Sequence, residues 1–201
     1  MKKKSLFLVV CFVFCLLSAQ PLHCCVGRIL VVAVSGSPEQ AIMGEMLSIL
    51  INERTGTTVN IVEYDPNACH EAVLKEEADI YINYTGVAQA GLGGANDVDD
   101  PLEVYALVNQ SYKEKFGMVW LKPFGFRGPL TVEGGDKEEG RTLAAAVSTR
   151  EVLKKFPVLD RVINKLGGRI DDNAMSELMK KTENQDIKET VREFLKKENL
   201  I

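Results

Sequence analysis

Histidine is nearly missing from this chain: two residues in 201, His23 and His70. With so few general bases, no Ser-His-Asp arrangement is credible. The same scarcity removes a zinc site. Neither His23 beside Cys24 and Cys25 nor His70 between Cys69 and Glu71 has a second ligand pair at tetrahedral spacing. Neighbouring positions on a helix also point in different directions, so the bland reading is a part-buried Cys69 and a surface His70. A basic excess is missing too. Lys and Arg total 24 against 28 Asp and Glu, for a net charge of -4, which argues against a nucleic-acid partner. The glycine runs Gly91-Leu-Gly-Gly94 and Gly134-Gly135 lack the preceding strand and the following Lys-Ser/Thr of a phosphate loop. The carboxylates are many but fall mostly on predicted helix faces, where solvation explains them. An enzyme, a cofactor and a metal are therefore not expected.

What is present begins with Lys2, Lys3 and Lys4, followed by an apolar run over 6–17. A basic start and about a dozen apolar residues predict a secretory signal, too short for a membrane span. Ala19 is the best cleavage residue. This divides the chain into a signal at 1–19, a linker at 20–28 and one domain over 29–201. Cleavage takes away three lysines and no acids, moving the charge from -4 to -7. Cys24 or Cys25 is the place a lipid anchor would attach, but Leu22-His23 lacks the small residues such a site needs. Three cysteines then remain, an odd number that forbids complete pairing within the chain.

The run 29–34 is continuously apolar and β-branched-rich, as in a strand buried on both faces. Ser37-Pro-Glu-Gln40 starts a helix, with Ser37 as cap, Pro38 at the first position and Gln40 at capping-box spacing. Met43, Met46, Leu47 and Leu50 give it one apolar face, and Gly56 stops it as a left-handed cap. A strand over 58–63, a helix over 67–78 with Ala68, Ala72 and Val73 inward, and a strand over 79–82 complete a β-α-β-α-β unit. That order predicts a parallel sheet with crossover helices. Ligands of such sheets sit beyond the carboxyl ends of the strands. Those ends are Ser35-Gly36-Ser37 and Asn83-Tyr84-Thr85-Gly86, the latter read as a turn. A helix over 101–116, capped by Asp99 or Asp100, and a strand over 118–121 follow. The stretch 122–141, rich in Gly and Pro, reads as loop without core. Then come a short apolar segment at 144–147 and helices over 150–156, 158–166, 171–181 and 186–197, with Asp171 and Asp186 as candidate caps.

Tyr81 and Tyr84 bracket the end of the third strand. A quaternary ammonium offers no hydrogen-bond donor, so aromatic faces hold it, each worth about 0.5–2 kcal/mol. The plainer alternative makes Tyr81 core and Tyr84 an ordinary turn aromatic.

Several segments resemble one family in order and spacing. They are Ser37-Pro-Glu-Gln40, Gly44-Glu-Met-Leu47, Arg54-Thr-Gly56, Asn67-Ala-Cys-His-Glu-Ala72, Asp79-Ile-Tyr-Ile-Asn-Tyr-Thr-Gly86 and Phe116-Gly-Met-Val-Trp-Leu-Lys-Pro-Phe-Gly-Phe126. Three more follow: Glu151-Val-Leu-Lys-Lys-Phe-Pro157, Asn164-Lys-Leu-Gly-Gly-Arg-Ile-Asp-Asp172 and Val191-Arg-Glu-Phe-Leu195. Together they look like the first lobe of the substrate-binding proteins of osmoprotectant ABC importers, the glycine betaine/choline type. The resemblance implies one lobe of a type II periplasmic-binding-protein fold: an α/β domain with a small, mainly parallel sheet flanked by helices. It implies ligand-binding positions at Ser35, Ser37, Tyr84, Thr85 and Thr142, a quaternary-ammonium solute and an ABC permease as partners, and a periplasmic or other extracytoplasmic location. The family's second lobe, an insertion of ordinary domain size of roughly 100 residues, is replaced here by a loop at 127–141. The family's lysine in the first loop falls at Ser35, the second threonine of its Tyr-Thr-Gly-Thr turn at Val87, and a further cage tyrosine at about Thr142. The expected function is a truncated solute-binding homologue with weak binding. The competing expectation is an interaction module that docks a partner or dimerises through the exposed cleft edge.

Overall fold

The computed structural model describes residues 29–93, 100–128 and 142–201. The signal and anchor expectations at 1–28, and most of the expected loop, lie outside these residues.

Strand β1 (Leu30–Val34) is the centre of the architecture, with Leu30, Val32 and Val34 turned to one face and Ala33 to the other. Helix α1 (Pro38–Thr55) leaves it through the Ser35–Ser37 corner. Ser37 Oγ accepts from Gln40 N at 3.3 Å, Pro38 opens the first turn, and Gly56 closes the helix at φ 70° with its N–H on Asn52. The buried face of this helix is wider than expected. Ile42, Ile49 and Ile51 are buried along with Met43, Met46, Leu47 and Leu50. The sheet lies under this wide apolar surface and three C-terminal helices over it, leaving the stripe of Ala41, Glu45, Ser48 and Asn52 at least partly exposed.

Strand β2 (Val59–Glu63), helix α2 (Ala68–Leu74) and strand β3 (Ile80–Tyr84) follow. Of the residues expected inward on α2, Ala72 and Val73 are buried with Cys69, while Ala68 is half-buried. The expected Tyr-Thr-Gly turn is instead the first turn of helix α3 (Thr85–Gly91). Helix α4 (Pro101–Phe116) is capped by Asp100, whose Oδ1 accepts from Leu102 N at 2.8 Å. Strands β4 (Met118–Trp120) and β5 (Ala144–Thr149) complete a five-stranded sheet of order β2-β1-β3-β5-β4. Pairings β1–β2 and β1–β3 are parallel, and β5 runs antiparallel to both β3 and β4. All strands but β5 thus point one way, and the α/β lobe expected from the sequence is present.

The chain ends in α5 (Arg150–Lys155), α6 (Leu159–Ile163) with a 3-10 turn at Asn164–Leu166, α7 (Asp172–Thr182) and α8 (Ile187–Lys197). Asp171 and Asp186 cap α7 and α8 as expected, each accepting a backbone N–H three residues on. Helices α6, α7 and α8 cover α1, while α2 and α4 cover the opposite face of the sheet.

The stretch read as coreless from 122 is corrected at its start. Phe124 and Phe126 are among the most buried side chains and stack at 6.2 Å. Phe124 N donates to Ala144 O, and Ile170 N donates to Phe124 O. Gly125 bridges to Ile170 and Arg127 to Leu143. The backbone is irregular because of its Pro and Gly, yet phenylalanines two apart share one face and enter the core. Of the expected loop at 127–141, the described residues Arg127 and Gly128 pair with the chain just before β5. Gly128 and Thr142 already stand side by side as a stem, Gly128 N donating to Thr142 O at 3.3 Å.

Candidate functional site

The carboxyl ends of β1, β2 and β3 open into one cleft of about 920 Å³. The position follows from topology, since parallel strands with crossovers leave their carboxyl ends uncovered. The corner Ser35–Ser37 forms part of its floor. Gln40 staples that corner: its Oε1 accepts from Ser35 N at 2.8 Å, and its Nε2 reaches Ile82 O at 3.5 Å. The reciprocal half of the expected capping box is therefore not made. The Gln40 side chain reaches past Ser37 to the strand ends instead.

Period-2 alternation sends Tyr81 and Tyr84 to opposite faces of β3, so they do not bracket one cation. Tyr84 is packed in the core against α1 and is 5 % exposed. Its ring lies so close to Gly128 that a Cβ there would stand 1.8 Å from Tyr84 Cδ1. Its hydroxyl lies among Ser37, Glu39 and Gln40. Burial pushes the phenol well above its ordinary range and the Glu39 charge adds to this, while hydrogen bonds with Gln40 and Ser37 pull back.

Tyr81 belongs to the other face, with Tyr112, Trp120 and Ala33. Asn83 Nδ2 donates to Tyr81 Oη at 3.3 Å and to Tyr112 Oη at 3.4 Å, and its Oδ1 accepts from Tyr84 N at 2.8 Å. His70 Nδ1 is 2.9 Å from Tyr81 Oη. Its ring sits edge-on to Tyr81, Tyr112 and Phe116, with centroids 5.8, 5.5 and 4.8 Å away. His70 is therefore not the surface residue expected from the sequence. It fills an aromatic recess at the cleft wall. Cys69 beside it is 3 % exposed. Burial pushes its thiol up to about 11, leaving it protonated and unreactive at neutral pH.

Of the residues singled out by sequence, Ser35, Ser37 and Tyr84 line the cleft. Thr85 and Thr142 do not. Thr85 is fully buried, its Oγ1 accepting from Leu143 N at 2.9 Å while its own N–H donates to Leu143 O at 3.0 Å. Thr142 is also buried and donates to Gly128 O. The Thr85 hydroxyl ties the chain next to the stem to the end of β3, and the Thr142 hydroxyl closes the stem itself. His70, Asn83, Tyr112 and Glu63 were missed as lining residues. The alternation of β3 pairs Asn83 with Tyr81, and the i, i+4 spacing of Tyr112 and Phe116 puts both on one face of α4. Those were the available signals.

His70 carries a pH prediction. Burial holds its pKa below the ordinary value of 6.5, outweighing the opposing pull of Glu71. Above 6.5 neither the folded nor the unfolded chain binds this proton, and the His70 contribution is complete. As pH falls below 6.5 the unfolded chain takes the proton first, so stability drops until the folded-state pKa is passed. Urea midpoints at pH 7.5, 6.5 and 5.5 check this. The midpoint should fall through that window, and His70→Gln should flatten the fall. A difference between wild type and variant that does not change with pH refutes the assignment.

A two-faced α/β layer with a cleft at its strand ends is the architecture of a ligand-binding lobe. Residues 29–132, just over half the chain, match the family model "Substrate binding domain of ABC-type glycine betaine transport system". The chain belongs to that family. It is 28 % identical over 116 residues to the ergothioneine transport permease/ergothioneine binding protein EgtU of Helicobacter pylori, covering 51 % of this chain and 19 % of that one. It is 30 % identical over 98 residues to the carnitine transport binding protein OpuCC of Listeria monocytogenes, covering 47 % of this chain and 32 % of that one. The chain thus spans less than a third of these relatives. Among solved structures, one described as a glycine betaine/carnitine/choline ABC transporter superposes with TM-score 0.73 at 17 % identity, across 85 % of this chain and 99 % of that one. Apo YehZ from Escherichia coli gives 0.72 at 13 %, across 87 % and 100 %. These likenesses establish the fold of a periplasmic-binding-protein lobe. Among the described residues, no helix is long and apolar enough to cross a membrane.

Proposed function

We propose that this chain is an exported solute-binding lobe serving an ABC importer of a quaternary-ammonium osmoprotectant, with weak affinity on its own. The observation that carries this reading is the cleft at the carboxyl ends of β1–β3, lined by tyrosines, in a chain of this family. The basic start and apolar run at 1–19 support export, and an ABC permease is the partner the family implies. The stem at Gly128 and Thr142 supports a short link over 129–141 in place of a second lobe. Its two ends stand within hydrogen-bond distance, so a brief connection spans them as readily as an inserted domain.

Weak binding follows from magnitudes. One aromatic face supplies about 0.5–2 kcal/mol of cation attraction, whereas even a millimolar complex needs about 4 kcal/mol net. An open cleft also leaves its charges screened by water. Titration calorimetry of the purified protein with glycine betaine, choline and carnitine is the test. Dissociation constants of about a millimolar or weaker are expected. A micromolar complex with the monomer refutes the single-wall reading, and no heat with any of the three refutes the solute class.

A further inference from the structure

Among the described residues, the formally charged side chains that line the cleft are all acidic. Glu39, Glu63, Asp65 and Glu71 all line it, and no Lys or Arg does so among the described residues. Glu71 has an ion pair with Lys75 at 3.9 Å, but that lysine is exposed and stands outside the lining. His70, also on the wall, is hydrogen-bonded to Tyr81 and surrounded by rings.

The amino end of α1 would be the natural seat for a ligand carboxylate, because helix N-termini favour anions. The chain has put a carboxylate of its own there. Glu63, at the end of β2, lies across Gly36, where a Cβ would meet its Oε1 at 2.7 Å. A zwitterionic solute entering this cleft would place its ammonium among rings and acids, but its carboxylate would face Glu63 where it needs a cation. Like charges at such a site oppose binding and discriminate between ligands of the same size.

We infer that Glu63 makes this cleft selective for small organic cations that carry no carboxylate, a choline-like amine alcohol over a betaine-like zwitterion. The inference rests on the solute-binding reading above and narrows the solute to one charge class. Both ligand types share a trimethylammonium head, so the aromatic contribution is common to them and the second end decides.

The test is a two-dimensional NMR titration of the purified protein at low salt, following cleft amides such as Ser35, Gly36 and Tyr84. The probes are choline and glycine betaine. Choline is expected to bind about tenfold more tightly than glycine betaine or better, and added salt should erode that preference. Glu63→Gln is exposed enough to fold normally and should narrow the ratio to about threefold or less, weakening choline and strengthening betaine. Equal affinities in the wild type, a preference for betaine, or a ratio that Glu63→Gln leaves unchanged would each overturn the inference while leaving solute binding intact. Cleft amides that move with neither probe at about 100 mM, where even millimolar sites saturate, remove the solute-binding reading and this inference together.

Discussion

Phe124→Ala is expected to lower the unfolding free energy by about 3–5 kcal/mol, the usual cost of truncating a fully buried aromatic. The ring has no exposure and stacks with Phe126 at an interplanar angle of 6°. It belongs to the same core as Met46, Leu50, Ile163 and Leu166. Its backbone ties β5 to the loop before α7, through Ala144 on one side and Ile170 on the other. Those bonds hold the neighbouring chain in place, so the void left by the ring has little freedom to collapse, and the cost falls in the upper part of the range. Phe124→Leu keeps most of the volume and should cost under about 1.5 kcal/mol. Equilibrium urea unfolding measures both, with an unchanged slope showing that the states compared are the same. A loss below 1 kcal/mol for Phe124→Ala would mean that the segment after β4 is peripheral, as its composition alone suggests.

That contrast shows where the sequence could be read and where it could not. The β-α-β-α-β order, the Ser37 and Gly56 caps and the Asp171 and Asp186 caps are local signals, set by residues within a turn of one another. They carry through to the structure almost unchanged. The burial of α1 on two sides, under helices as well as over the sheet, is not local. It depends on helices that follow about 100 residues later, so its apolar positions could be matched to a single face without contradiction. The segment containing Phe124 failed for a related reason: Pro123, Gly125 and Gly128 describe the backbone, whereas the two phenylalanines decide the burial. At the site, the strand-end location was legible from topology. The side-chain roles were not. Tyr81 and Tyr84 look adjacent in the chain, yet an interval of three positions on a strand separates their faces. His70 looks superficial because its aromatic neighbours Tyr112 and Phe116 come from α4, far along the chain. Thr142 belongs to the stem and Thr85 braces the residue after it, and no local pattern reveals the pairing across residues 128 and 142.

The second large effect is expected at Gly128. A methyl group on Gly128 would overlap the Tyr84 ring at 1.8 Å from Cδ1 and 2.5 Å from Cε1. The ring cannot simply swing away. Its hydroxyl end lies among Ser37, Glu39 and Gln40, and its body is enclosed by the core around α1. The backbone of Gly128 is equally constrained, since its N–H donates to Thr142 O and its carbonyl accepts from Thr142 Oγ1. Gly128→Ala should therefore destabilise the protein by about 1–3 kcal/mol, the range for an overpacked core. The same change should disturb the Ser35–Ser37 floor of the cleft, because Tyr84 is wedged between the two. Tyr84→Ala alone also costs stability, about 3–5 kcal/mol by analogy with other buried aromatics. In that background, however, Gly128→Ala meets an open space and should cost little or stabilise slightly. The double-mutant cycle should show a coupling of about 1–3 kcal/mol. Strict additivity would mean that Gly128 and Tyr84 do not share this contact and that the ring is free to move in the cleft. Strong coupling assigns Tyr84 first to structure, as the beam on which the stem rests, with only its hydroxyl end left to face a solute.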